Sequence, residues 1–362
     1  MTVTNKDILK HYGASVLIYG IILLFISICP LFSEMIDTEG FNYIHFFFIY
    51  YILYLILAPI VFFKTKPESI LQSRSLSVLR YFKRQFKQGI SLEERLSNIT
   101  LQEDEKQAFT IFFMQALFGT TSINILCNKI LPSLDYDFAF LKEMFAQAVQ
   151  YTHIAGIKSG ILQYIDDTDD MWINLMFAVS TIILSISYLS DLNIFKNKIK
   201  KIDTTPLGII SCIVCFYPLK IFADKIIPSY GSELVPVENM ALRITLSILM
   251  LISEFVILLS VLRLGTKAGN LTDRGIVTKF PYNIIRHPEY TMQICMISII
   301  TIPVLFDSGF FVFEKILFVT GIIGWAIVYY VRAITEERNL IDDPEYKKYC
   351  QKVKYRFIPK LF

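Results

Sequence analysis

Glycine-rich nucleotide loops, internal repeats and low-complexity tracts are missing from this 362-residue chain, and histidine and tryptophan are scarce, at 4 and 2. Without a G-x-G-x-x-G turn between a strand and a helix, the backbone cradle for a dinucleotide pyrophosphate has nowhere to form. Charge is scarce too: charged residues make up 19% of the chain against 54% hydrophobic, and the formal net charge is +3. A water-soluble domain of ordinary make-up carries more charge and fewer apolar residues. The basic residues flank apolar runs and form no stripe of their own, so nucleic-acid binding has no support. Cysteine is limited to six positions, Cys29, Cys127, Cys212, Cys215, Cys295 and Cys350, five of them in or beside apolar runs. They read as small buried hydrophobes, and no disulfide framework follows from them. Cys212-Ile213-Val214-Cys215 has the spacing of half a metal site, but no second pair or nearby histidine completes a zinc ligand set.

Long apolar runs are what the chain has in quantity. Eight candidate spans run over 13–32, 41–63, 108–131, 171–189, 206–227, 240–262, 290–306 and 310–331. Each approaches the length needed to cross about 30 Å of hydrocarbon. The expected fold class is all-α: a polytopic integral membrane protein of about eight transmembrane helices. The third run is interrupted by Asn124, Asn128 and Lys129, and the fifth by Pro218, Lys220 and Asp224. The seventh is short and carries Pro303, so it either crosses or forms a tilted, partly re-entrant segment. The first run has no small-residue cleavage site and is preceded by Lys6 and Lys10, which reads as a retained span.

Loop charge gives an orientation. Basic residues gather after the second run (Arg80, Lys83, Arg84, Lys87, Arg95), after the fourth (Lys196, Lys198, Lys200, Lys201) and after the sixth (Arg263, Lys267, Arg274, Lys279). The intervening loops lean acidic, with Glu34 and Asp37, then Asp135, Asp137, Asp166, Asp167, Asp169 and Asp170. That alternation is expected if both termini and the basic loops are cytoplasmic. The sequon-like triplets at Asn98 and Asn270 then fall on the cytoplasmic side and escape glycosylation. Two long non-spanning stretches remain. Residues 64–106 read as a solvated helical connector or as a helix lying on anionic lipid, and 138–164 as an amphipathic cap or entrance.

One acid lies inside the apolar sequence. Glu254 is mid-way along the sixth run, where a carboxylate costs roughly 3 kcal/mol on insertion scales and must face a partner or a wet cavity. Arg243 stands eleven positions earlier, three helical turns away and too far for a simple pair. Two roles stay open for Glu254: an interhelical hydrogen bond, or a cavity-lining residue near substrate.

The end of the chain carries most of the chemistry. Arg286-His287-Pro288 precedes the seventh run; Pro288 pushes His287 into extended backbone and starts the helix without losing a useful N–H. The other free N–H groups there, the helix dipole and Arg286 favour an anion. Glu336 and Glu337 close the eighth run, where helix ends ordinarily prefer cations; Arg332 and Arg338 are their nearest partners in sequence. Tyr346, Tyr349 and Val353 follow as a helical stripe suited to folding back over the span ends.

In order, Pro281-Tyr282, Arg286-His287-Pro288-x-Tyr290, Glu336-Glu337-x-x-Leu340, Tyr346-x-x-Tyr349, Val353, Arg356 and Ile358-Pro359 resemble the isoprenylcysteine carboxyl methyltransferase and phospholipid methyltransferase families. The resemblance covers 281–359 of the chain; Asp342-Asp343-Pro344-Glu345 stands where many relatives have Phe-Gly. It implies S-adenosylmethionine held in a cleft between the last two spans and a cofactor-binding C-terminal tail, with the active site on the cytoplasmic face. Carried over to this chain, Tyr282, His287, Pro288, Tyr290, Glu336, Glu337, Tyr346, Tyr349 and Arg356 would contact the cofactor. Arg286, His287 and Glu254 are the candidates for a catalytic role, with His287 as base if the acceptor arrives protonated. The acceptor would be a lipophilic small molecule or lipid-modified substrate entering from membrane lipids. On that reading 206–362 is the methyltransferase-like region and 1–205 a four-span region of unknown role.

Two other readings stand beside it. Sterol-reductase-like NADPH oxidoreductases share an Arg-His-Pro-x-x-Tyr-like start and a tail like Tyr349-Cys350-Gln351-x-Val353-x-Tyr355-Arg356. Here, however, Glu336-Glu337 replaces their Arg-Asp-Glu. A non-catalytic transporter or scaffold could also retain the motif as structure.

Overall fold

The computed structural model describes residues 2–29, 43–86, 100–127, 138–190, 197–217, 219–229, 237 and 239–361. Glu34, Asp37, Lys87, Arg95, Asn98, Asn128, Lys129, Asp135, Asp137 and Lys196 lie outside the described residues. The chain divides into two compact units, Met1–Thr120 and Thr121–Phe362. This is a division by packing, whereas the expected boundary at 205 was one of role.

The first unit holds α1 (Asn5–Ile28), α2 (Tyr43–Thr65), α3 (Arg74–Gln85) and most of α4 (Glu103–Ile125). Thr4 and Asp7 cap α1 reciprocally, satisfying two of its orphan N-terminal donors. The tyrosines fasten α2 to α1: Tyr12 donates to the Leu55 carbonyl at 2.8 Å and Tyr51 to that of Val16 at 2.9 Å. In the 64–106 connector, α3 turns Ser75, Ser77 and Val78 inward, and Val78 joins Ile18, Ala108 and Phe112 in a buried cluster. Phe82 and Phe86 remain on its exposed side.

The second unit contains α5 (Phe138–Ala155), α6 (Ile157–Leu189), α7 (Pro206–Ile213), α8 (Leu219–Ile226), α9 (Met240–Leu264), α10 (Pro288–Phe306), α11 (Val312–Leu340) and α12 (Pro344–Lys352). Helices α5 and α6 form a hairpin around Gly156, whose φ of +89° is open to glycine and strained for other residues. The span expected at 171–189 is thus the second half of a 33-residue helix. Packing proceeds from α6 to α9, from α9 to α10 and from α10 to α11. Leu246, Met250, Ile299 and Ile300 form the apolar seam between α9 and α10. A two-residue antiparallel ladder joins β1 (Lys201–Ile202) to β2 (Thr272–Asp273). Buried Arg274, just beyond β2, donates to the carbonyls of Ser187 at 2.9 Å and Thr266 at 3.3 Å, tying the loop to α6.

Among the described residues seven helices, α1, α2, α4, α6, α9, α10 and α11, are long and apolar enough to cross a membrane, which marks a multi-pass membrane protein. The expected fifth span is the difference. Its residues form two eight-residue helices, α7 and α8, each far short of 30 Å at about 1.5 Å per residue. Pro218, which interrupts this run in the sequence, lies outside the described residues. Lys220 and Asp224 pair with each other on α8 at 2.7 Å.

Asp343 caps α12 by accepting from the Glu345 N–H at 2.8 Å, and that bond holds its carboxyl below the usual carboxylate range. A depressed carboxylate stabilises above its unfolded pKa of about 3.9, and the contribution disappears as pH falls through the lower folded value. Asp343→Ala is expected to remove about 1 kcal/mol. Faster amide exchange confined to 344–349 would register it, and unchanged protection there would rule the cap out.

Candidate functional site

Three stretches from the end of the chain meet at the start of α10. Arg286 and His287 lie just before it, Glu336 and Glu337 are about one turn from the end of α11, and 353–357 follow α12. The tail is laid against the helix start by backbone bonds: the Arg286 N–H donates to the Tyr355 carbonyl at 3.0 Å and the His287 N–H to that of Arg356 at 2.9 Å. Thr291 adds a hydroxyl bond to the Phe357 carbonyl at 3.2 Å.

Glu337 is the centre of the junction. Its Oε1 accepts from Arg286 Nε at 2.9 Å and lies 3.2 Å from His287 Nε2. Arg356 Nε reaches its two oxygens at 3.1 and 3.0 Å. Arg286 also donates to the Val353 and Lys354 carbonyls at 3.1 and 3.2 Å. The side chains of Arg286, His287 and Glu337 are only 9%, 11% and 11% exposed, so the pairing is shielded from water. Sequence proximity had suggested Arg332 and Arg338 as partners for the two acids. Arg338 instead pairs with Asp203 at 2.7 Å, and Arg332 turns inward.

Glu336 differs from its neighbour. Oε1 accepts a hydrogen bond from the Tyr290 hydroxyl, while Oε2 lies 3.9 Å from His287 Nδ1. The His287 ring stacks on Tyr290 with centroids 5.4 Å apart and planes within 7°. His287, the N-cap residue of α10, makes no side-chain cap bond, so the first-turn N–H groups keep the anion preference of a helix N-terminus.

Beside this junction, Tyr282, Tyr346, Tyr349 and Val353 form a buried cluster closed by Leu264 and Leu340. The stripe read from the sequence therefore does pack over the helix ends. Tyr349 donates to the Tyr282 carbonyl at 2.6 Å. Burial pushes all three phenols up, helped by the negative charges of Glu289 and Glu336 at Tyr282 and of Glu337 at Tyr346. At Tyr349 burial outweighs the opposing pull of Arg286. The three hydroxyls therefore stay protonated at neutral pH.

The proximity argument missed Arg332, Asn270 and Glu289. Arg332 is 5% exposed, donates to Asn270 Oδ1 at 2.7 Å and lies over the Tyr290 ring at 4.7 Å. Its position directly at the end of the 310–331 apolar run was the available signal. Asn270 was visible only as part of a sequon, and Glu289 only as the variable position between Pro288 and Tyr290. Of the expected residues, Arg286, His287, Tyr290, Glu336, Glu337 and Arg356 touch one another, with Pro288 opening the helix that carries them. Glu254, buried on α9, shares no hydrogen bond with them among the described residues, and Arg243 on the same helix pairs with Asp166.

No protein-family model matches the chain, and neither a curated protein nor a solved structure matches it.

Proposed function

We propose that the protein is an integral-membrane S-adenosylmethionine-dependent methyltransferase acting on a lipophilic acceptor: a prenylcysteine-type carboxylate, a lipid headgroup or another apolar small molecule. The observation that carries this reading is the meeting of Arg286-His287, Glu336-Glu337 and the 353–357 tail at one helix start. The side chains present suit the cofactor: Glu336 Oε2 for a ribose hydroxyl or ammonium, the start of α10 for a carboxylate, and the Tyr290 and His287 rings for adenine or a sulfonium. The bound cofactor would supply an electrophilic methyl group on a sulfonium.

The residues position and exclude water. Glu337 brackets Arg286 and Arg356 and so holds the tail against α10, while Glu336 and Tyr290 present polar atoms toward the same place. In-line displacement draws chiefly on such positioning, which can lower a barrier by roughly 7–11 kcal/mol. A carboxylate acceptor needs no base; for an acceptor that must lose a proton, His287 is the nearest imidazole to the junction. An active site on the cytoplasmic face gives the soluble donor one route and the lipid-borne acceptor another.

A thermal-shift comparison in detergent tests the reading. S-adenosylhomocysteine at 100 times its Kd is expected to add about 2.7 kcal/mol of stability, with NADPH inert. His287→Ala should weaken that shift while membrane insertion is retained. Stabilisation by NADPH alone would transfer the assignment to a reductase, and stabilisation by neither would favour a scaffold.

A further inference from the structure

Helix α8 carries charge to a depth where α11 is apolar. Trp325 Nε1 of α11 donates to the Ile227 carbonyl just past α8, and Lys220 Nζ lies 4.8 Å over the Trp325 ring. Trp325 stands six residues inside the Val331 end of the 310–331 apolar run, about 9 Å at 1.5 Å per residue. At that height Ile323 and Ile327, on the opposite face of α11, are 56% and 58% exposed, as side chains that meet lipid are. Since α11 is long and apolar enough to span a membrane, Lys220 is held at hydrocarbon depth.

The charges are exposed there. Lys220 Nζ grips both oxygens of Asp224 at 2.7 and 2.8 Å, yet the two side chains remain 45% and 37% exposed. Phe222 and Ile226 of the same helix are 57% and 80% exposed. Two positions turn a helix by about 200°, so the charged pair and the apolar pair occupy opposite faces of α8. Exposed Lys225 stands at the margin between them. Both faces cannot meet the same medium. Hydrocarbon suits Phe222 and Ile226, whereas charged side chains at membrane depth turn to a partner or to water, and even a closed ion pair loses its hydration in lipid. The charged face is the one turned toward Trp325.

We propose that the Lys220–Asp224 face of α8 lines a water-filled cleft within the membrane, beside Trp325, while the Phe222–Ile226 face meets lipid. The cleft takes small water-borne molecules and excludes lipid tails. The inference stands apart from the methyltransferase reading, because it is tested by labelling with no cofactor present.

Full-length protein in phosphatidylcholine nanodiscs, open to reagent on both sides, is treated with sulfonatoethyl methanethiosulfonate, a charged thiol reagent that stays out of lipid. Adducts are counted by intact mass against the unaltered chain with its six native cysteines. Asp224→Cys is expected to gain one further adduct at least tenfold faster than Phe222→Cys; a smaller difference overturns the proposal. Should Asp224→Cys fail to fold, a comparison within the unaltered protein decides alone. Lys201, on β1 outside the spanning helices, is 46% exposed and paired with Asp342, so it matches Lys220 in exposure and in having an acid partner. Sulfonated N-hydroxysuccinimidyl acetate, followed by peptide mass spectrometry, is expected to acetylate Lys220 within tenfold of the Lys201 rate. Slower modification of Lys220 than that would place it in lipid and overturn the cleft.

Discussion

Glu337→Gln is expected to destabilise the protein by about 3 kcal/mol, the lower part of the range for breaking a buried ion pair by removing one partner. The change keeps the side-chain shape and removes the charge that Arg286, His287 and Arg356 share. Arg356 is 36% exposed and can turn to water, so most of the loss falls on Arg286, which is 9% exposed and anchored on the Val353 and Lys354 carbonyls. Because those carbonyls belong to the tail, 353–357 should peel away from α10 and become open to protease before the helices unfold. Glu336→Gln is the comparison. Its carboxylate accepts one hydroxyl bond and has no arginine partner among the described residues, so stability should change by less than about 1 kcal/mol while cofactor affinity falls. Equal losses of unfolding midpoint in the two variants would remove Glu337 as the bracket of the site.

Gly321→Ala is the second large effect. A methyl at this position of α11 would overlap the Pro228 carbonyl oxygen, and backbone cannot swing aside as a side chain does. The contact is held close by Trp325, whose Nε1 donates to the Ile227 carbonyl at 3.1 Å. Small residues allow close approach of this kind, and filling the gap forces chain and helix apart. The expected loss is about 3 kcal/mol, the upper end of ordinary overpacking. Gly324→Ala should be milder, since its new methyl would meet Ile227 Cγ2 at 2.6 Å, an atom that a rotamer change can move. Thermal unfolding of both variants side by side decides; a Gly324 variant as unstable as the Gly321 variant would refute the backbone-contact argument.

Particular elements indicate how far reading the chain alone could go. Runs such as 240–262 and 310–331 carry enough apolar residues in register to announce helices, because periodicity and hydropathy are local properties. The same local logic foresaw the tyrosine stripe of α12. It misjudged 206–227, where total hydropathy outweighed the interruption at position 218. It also stopped short at the start of α6 and at the end of α11, since charged residues can continue a helix beyond the apolar stretch that reveals it.

The side-chain partners were beyond such reasoning. Glu337 has two arginines within five positions in sequence, yet it pairs with Arg286 and Arg356, 51 and 19 residues away. Arg332 finds Asn270 at a separation of 62, and Arg243 finds an acid on another helix. The sequence by itself determined that this is a helical, membrane-embedded chain with its polar chemistry gathered near the end. Tertiary structure alone decided which acids are neutralised and which, like Glu254, are left facing no donor. The reason is physical: hydropathy and helix period act between neighbours, whereas a buried charge is satisfied by whatever group the packing of distant helices brings within about 3 Å.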